Sequence, residues 1–147
     1  MVERKEGPLV MLVDDDVAIA EMYGLGLASA GFRVRLLADP HALFRALHEQ
    51  LPDILVLDWQ MPGMNGAEAL ELIRLDERTK HLPVFMLSNF LGDQNGAIDR
   101  VFEAGALAWL RKSVTPPSAL AQRLNEALAR HVTSAGGDDR SAARGSS

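Results

Sequence analysis

The sequence predicts a doubly wound α/β fold, a five-stranded parallel sheet with helices on both faces. Two observations carry that prediction. Short apolar runs alternate with helical patterns five times along the chain, which argues for a parallel sheet covered on both sides. Two of the runs also end in carboxylates: Leu9-Val10-Met11-Leu12-Val13 precedes Asp14-Asp15-Asp16, and Ile54-Leu55-Val56-Leu57 precedes Asp58. A continuous apolar run bounded by turn residues reads as a strand buried on both faces. Open α/β sheets bind ligands outside the carboxyl ends of their strands, which is where these aspartates fall.

The elements follow in order. Leu9–Val13 is the first strand. Val17–Ala30 reads as a helix, with Ile19, Met22, Tyr23, Leu27 and Ala30 at three-to-four spacing and Asp16 as its cap. Gly24 and Gly26 should each cost that helix roughly 1 kcal/mol relative to Ala, and close packing is the reason offered for them. Gly31 ends the helix, and Arg33–Leu37 is the second strand. Asp39 caps the next helix with Pro40 at its first position; that helix carries Leu43, Phe44, Leu47 and Leu51. Ile54–Leu57 is the third strand. The turn Gly63-Met64-Asn65-Gly66 leads to a helix over Ala67–Leu75. Val84–Leu87 is the fourth strand, and a polar stretch, Ser88–Asn95, leads to a helix over Ala97–Ala104. Ala108–Leu110 is the fifth strand. Thr115-Pro116-Pro117 opens a last helix with Leu120, Leu124 and Leu128 on one face. Five strands suit the flavodoxin-like order 2-1-3-4-5 with five helices. Residues 1–7 read as an extension and 8–131 as one domain. Residues 132–147 hold almost nothing apolar and read as a disordered tail or linker.

Composition narrows the function. The net charge of −5 gives no basic footprint for nucleic acid. With no cysteine, disulfides, thiolate catalysis and Cys-based zinc sites are excluded. The charged N-terminus is not expected to be a signal peptide, and no apolar run reaches the roughly 18–20 residues of a membrane span; a cytoplasmic location is expected. His41, His48, His81 and His131 show no metal-ligand spacing. Gly24, Gly26 and Gly31 have the wrong spacing and context for a dinucleotide loop.

The strand ends bring Asp14, Asp15, Asp58, Ser88 and Lys112 to one edge of the sheet. Three carboxylates, a hydroxyl and an ammonium suit phosphoryl transfer onto a carboxylate. Hard oxygen ligands favour Mg²⁺, with Mn²⁺ as the alternative. Asp58 is read as the nucleophile, and Asp15 with Asp58 as metal ligands, Asp14 acting through a metal-bound water. Lys112 and Ser88 would stabilise charge on the transferring group.

The chain resembles the receiver domain of two-component response regulators, in particular the single-domain chemotaxis type. The resemblance rests on Val13-Asp14-Asp15-Asp16, Leu57 through Gly66, Met86-Leu87-Ser88, Ala104-Gly105-Ala106 and Trp109-Leu110-Arg111-Lys112, in family order over about residues 8–131. It implies an acidic pair at Asp14 and Asp15, a phosphoacceptor at Asp58, and the main-chain carbonyl of Gln60 as a metal ligand. It further implies a switch pair at Ser88 and Trp109 and a phosphate-binding lysine at Lys112. The partners implied are a sensor histidine kinase or phosphotransfer protein and a downstream protein, with a homodimer through helix four, strand five and helix five as the first surface to test. Catalysis would be self-phosphorylation and autodephosphorylation, without turnover of an external substrate.

Three features depart from the family pattern. Ser113 stands where a proline after a cis bond is usual, and a trans bond is expected because cis before a non-proline costs ~3–4 kcal/mol. Asn89 and Phe90 follow the switch hydroxyl where a small residue is usual, and both are expected to alter phosphoryl lifetime. The stretch Phe90–Gly96 holds about two surplus residues, suggesting a mobile entry to helix four. Two other functions were weighed. An aspartate-nucleophile phosphohydrolase would want a carboxylate where Gln60 stands. A docking module that is never phosphorylated would not need the Asp58 and Lys112 pair. No output domain fits after His131, so a stand-alone receiver or one cut from a longer protein is expected.

Overall fold

In the computed structural model, residues 7–89 and 96–144 are described, with side chains as far as Arg130. Five strands form one parallel sheet: β1 (Leu9–Val13), β2 (Arg33–Leu37), β3 (Ile54–Leu57), β6 (Val84–Ser88) and β7 (Ala108–Arg111), in the order β2-β1-β3-β6-β7. Counted within the sheet, this is the predicted 2-1-3-4-5. Two short strands, β4 (Gln60–Met61) and β5 (Met64–Asn65), form a separate antiparallel ladder around the Gly63 turn; the sequence reading had only a loop there. Gly63 at φ 79° permits that turn. The helices are α1 (Val17–Ser29), α2 (Pro40–Glu49), α3 (Gly66–Leu75), α4 (Ala97–Glu103) and α5 (Pro117–Arg144).

The central strands β1, β3 and β6 are buried at every residue, as their unbroken apolar runs require. Successive side chains alternate between faces. Val10 and Leu12 of β1 join Tyr23 and Leu27 of α1 and Leu120 and Leu124 of α5 in one core. Met11 and Val13 join Leu43 and Leu47 of α2, Leu70 and Ile73 of α3 and Val101 of α4 in the other. Each fully buried Leu or Ile contributes roughly 1.5–3 kcal/mol. The edge strand β2 carries Arg33 and Arg35 and is largely exposed, which discourages pairing with another sheet.

The predicted caps are in place: Asp16 accepts from the Ile19 amide at 3.1 Å and Asp39 from the Ala42 amide at 2.8 Å. Asn65 and Glu68 add a reciprocal capping box at α3. Gly24 and Gly26 do serve close packing. A Cβ on Gly24 would touch the Leu36 side chain at 3.3 Å, and one on Gly26 would collide with Pro117 Cβ.

Some expectations need correction. Met22 and Ala30 face solvent, because α1 packs with the Ala20–Tyr23–Leu27 stripe. Leu51 lies beyond the end of α2 and is exposed. Helix α5 extends to Arg144, past the His131 at which the sequence reading ended it. The expected mobile entry to α4 falls on residues 90–95, outside the described residues. No helix among the described residues is long and apolar enough to cross a membrane.

Candidate functional site

Parallel register builds the site. Val13 of β1 lies opposite Leu57 of β3, so the next residues, Asp14 and Asp58, emerge side by side. The Asp58 amide donates to the Val13 carbonyl at 3.1 Å and the Asp14 amide to the Leu37 carbonyl at 3.0 Å. Both carboxylates are buried, while Asp15 is exposed. Ligand atoms of Asp14, Asp15 and Asp58 all lie within 4.8 Å of one another. Gly66 lets α3 start close beside this loop. Its amide donates to the Trp59 carbonyl at 2.7 Å, and a Cβ there would lie 3.0 Å from the Asp58 carbonyl oxygen.

Lys112 arrives from the other side. It opens a 3₁₀ turn, Lys112–Val114, directly after β7, and its bond to Ser113 is trans, as expected. The ammonium stands 2.7 Å from Asp14 Oδ2 and 3.3 Å from Asp58 Oδ2. Its contact to Asp58 is a hydrogen bond; to Asp14 it is an ion pair without hydrogen-bond alignment. Asp14 Oδ1 accepts from the Asp16 amide at 2.9 Å, and Asp58 Oδ1 accepts from the Gln60 amide at 3.4 Å.

Burial pushes the Asp58 carboxyl up to about 6; the Asp14 charge adds to this and Lys112 opposes it. Burial also works against the Lys112 ammonium, but the two carboxylates outweigh it and hold its pKa above the ordinary lysine value. One cation is thus shared by carboxylates that would accept more positive charge. The buried Asp14 Oδ2, with no aligned donor, and the hard oxygen set fit a divalent ion of the Mg²⁺ kind.

The open cavity over these groups has a volume of about 410 Å³ and is lined by Asp14, Asp15, Asp58, Gln60, Asn89 and Lys112, among others. Most of the predicted site residues therefore meet in one place. Ser88 lies apart from the lining, buried as the last residue of β6, and it is Asn89 that reaches the cavity. Ser113 is exposed on the 3₁₀ turn. Trp109 is half-buried on β7, and Phe90 lies outside the described residues.

Two contacts escaped the sequence reading. Trp59, immediately after Asp58, packs against Trp109 with ring centroids 5.5 Å apart and planes tilted by 38°. Tyr23 donates from its buried hydroxyl to the Thr115 carbonyl at 2.6 Å, with the Lys112 carbonyl at 3.5 Å. Burial raises the Tyr23 pKa, so it stays a donor. A buried tyrosine needs a partner for its hydroxyl, and that was the one available signal.

The model of the response regulator receiver domain matches residues 10–125. The phosphate regulon transcriptional regulatory protein PhoB of Pseudomonas aeruginosa is 30% identical over 124 residues, covering 84% of this chain and 53% of PhoB. The DNA-binding response regulator MtrA of Mycolicibacterium paratuberculosis is 30% identical over 115 residues, 77% of this chain and 48% of MtrA. The chain thus spans about half the length of the curated relatives it matches. Among solved structures, the chemotaxis response regulator CheY4 of Vibrio cholerae superposes with a TM-score of 0.73 at 27% identity, covering 81% of this chain and 97% of that one.

Proposed function

The chain belongs to the response regulator receiver domain family, and from that membership we propose that it takes a phosphoryl group onto Asp58 and thereby changes its protein partner. The observation that carries this reading is the placement of Asp58 beside Asp14 and under the Lys112 ammonium. The donor is a phosphohistidine on a sensor kinase or phosphotransfer protein. A carboxylate oxygen of Asp58 attacks phosphorus, the nitrogen–phosphorus bond breaks, and the imidazole leaves with its electron pair. Asp14, Asp15, Asp58 and the Gln60 main-chain carbonyl would hold Mg²⁺, which supplies charge neutralisation for the phosphoryl oxygens. Lys112 adds an ammonium held between Asp14 and Asp58, and positioning of this kind carries most of the rate in phosphoryl transfer.

Ser88 and Trp109 act as the switch, with α4, β7 and α5 as the face that meets the partner or a second copy of the chain. Phe102 of α4 and Leu107, just before β7, are exposed. Asn89 lines the cavity and tunes how long the aspartyl phosphate lasts, so Asn89→Ala should change the dephosphorylation rate. MtrA is a DNA-binding response regulator, and the expectation of no nucleic-acid partner is not carried forward to a longer protein.

The test is incubation with a small phosphodonor and Mg²⁺, followed by intact mass. One added phosphate on the wild type and none on Asp58→Asn are expected. No addition to the wild type would favour a docking module. Continuous release of phosphate from a generic phosphomonoester would favour a hydrolase.

A further inference from the structure

We infer that Tyr23 is a positioning residue for Lys112: from helix α1 it clamps the turn that aims the ammonium between Asp14 and Asp58. The inference rests on the reading of Asp58 as phosphoacceptor. The turn after β7 is weakly held from within. It has no side-chain cap, and its closing bond, from the Thr115 amide to the Lys112 carbonyl, is long at 3.3 Å. The Tyr23 hydroxyl supplies the short bond the turn lacks, 2.6 Å to the Thr115 carbonyl, while its ring is 1% exposed in the core under α1. For core packing a phenylalanine would serve as well; the hydroxyl adds a link to a backbone 92 residues on.

A second contact lies one turn further along the same helix. Gly26 admits Pro117 so closely that any Cβ would collide with it. Helix α1 therefore grips the 112–117 segment at Thr115 and at Pro117. The same helix begins at Asp16, just after the acidic pair. Asp14 and the ammonium are consequently both referenced to one helix, which holds them 2.7 Å apart, while Asp58 enters from β3 at 3.3 Å from the same ammonium.

The test compares wild type, Tyr23→Phe, Lys112→Ala and the double variant, with acetyl phosphate as donor. Phosphate uptake is followed by intact mass, and Mg²⁺ affinity by calorimetry. Tyr23→Phe should slow uptake about tenfold while leaving the Mg²⁺ Kd within about twofold, since a small misplacement of a stabilising group is costly in rate. In the Lys112→Ala background the tyrosine change should add no further loss. Gly26→Ala, probing the second contact, should slow uptake in the same way. The inference is overturned if Tyr23→Phe matches the wild type, whatever Gly26→Ala does. It is also overturned if the tyrosine effect persists undiminished without Lys112, or if Mg²⁺ affinity falls in step with rate, which would make Tyr23 a packing residue. A wild type that takes up no phosphate at all removes the phosphoacceptor reading, and this inference with it.

Discussion

Helices α1 and α4 pack on opposite faces of the sheet and are held there in different ways. Helix α1 is 13 residues long, capped by Asp16, and buries Ala20, Tyr23, Gly24 and Leu27. Its neighbours Leu36, Thr115 and Pro117 are met at contact distance. Helix α4 has seven residues, starts at Gly96 with φ 70° and no side-chain cap, and buries Ala97 and Val101. Much of its hold is polar. Arg100 pairs with Glu71 of α3 at 2.8 and 3.0 Å, and Arg74 reaches from α3 to the Ala104 carbonyl at 2.6 Å and the Gly105 carbonyl at 3.3 Å. The helix beside the carboxylates and the lysine is locked by burial. The helix on the proposed partner face is tied by charges and carbonyl contacts, which can be remade at small cost. The proposed chemistry, which depends on fixed geometry, would sit beside the first, and the surface proposed to change beside the second.

The largest way to break this contrast is to remove the group that the α1 side aims. Lys112→Ala should lower the rate of phosphate uptake by roughly 10²–10³-fold, the usual effect of deleting one stabilising donor; intact-mass time courses check it. Next in size is the charge the site holds without a metal. The Asp58 pKa of about 6 lies above its ordinary 3.8, so folding disfavours the ionised form. The stability from this group is fully present below about pH 3.8 and is lost as pH rises through about 6. The loss is up to roughly 3 kcal/mol. Urea unfolding in chelator should therefore give a higher midpoint at pH 5 than at pH 7.5. Asp58→Asn should flatten that difference and unfold later than the wild type at pH 7.5.

On the α4 side, Arg74→Met should cost about 1–3 kcal/mol, because the Ala104 and Leu82 carbonyls lose their guanidinium donor. Hydrogen exchange should then quicken over 97–104 and stay unchanged over 17–29. The smallest effect belongs to Arg100→Gln. This ion pair is about 40% exposed on both partners, and solvent-exposed pairs add little to stability. Its loss should leave the urea unfolding midpoint nearly unmoved, with hydrogen exchange over 97–104 quickened less than in Arg74→Met. Equal exchange rates in α1 and α4 of the wild type would dissolve the contrast.

The legible part of the molecule was the part written in consecutive residues. The runs Leu9–Val13 and Ile54–Leu57 state both a buried strand and the carboxylate that follows it, and Asp16 and Asp39 state their caps within three residues. Parallel pairing then brings Asp14 beside Asp58 without further information. What stayed hidden depends on contacts between distant segments. Tyr23 sits at ordinary core spacing, and nothing near it in sequence announces Thr115. Arg74 looks like a surface arginine at the end of a helix until the 79–82 and 104–105 carbonyls surround it. Ser88 was placed correctly at its strand end, where it is buried.

The packing of Trp59 on Trp109 has an optical consequence. The chain has only two tryptophans, and both belong to this one contact, one adjoining Asp58 and the other preceding Lys112 by three residues. Ultraviolet emission excited through indole therefore arises entirely from the site, with no background from elsewhere in the fold. At 5.5 Å the two transition dipoles couple, so the pair also has a signature in circular dichroism that neither ring has alone. A turn of Trp109 away from Trp59 would uncouple them, giving the unlabelled protein a reporter of its own state.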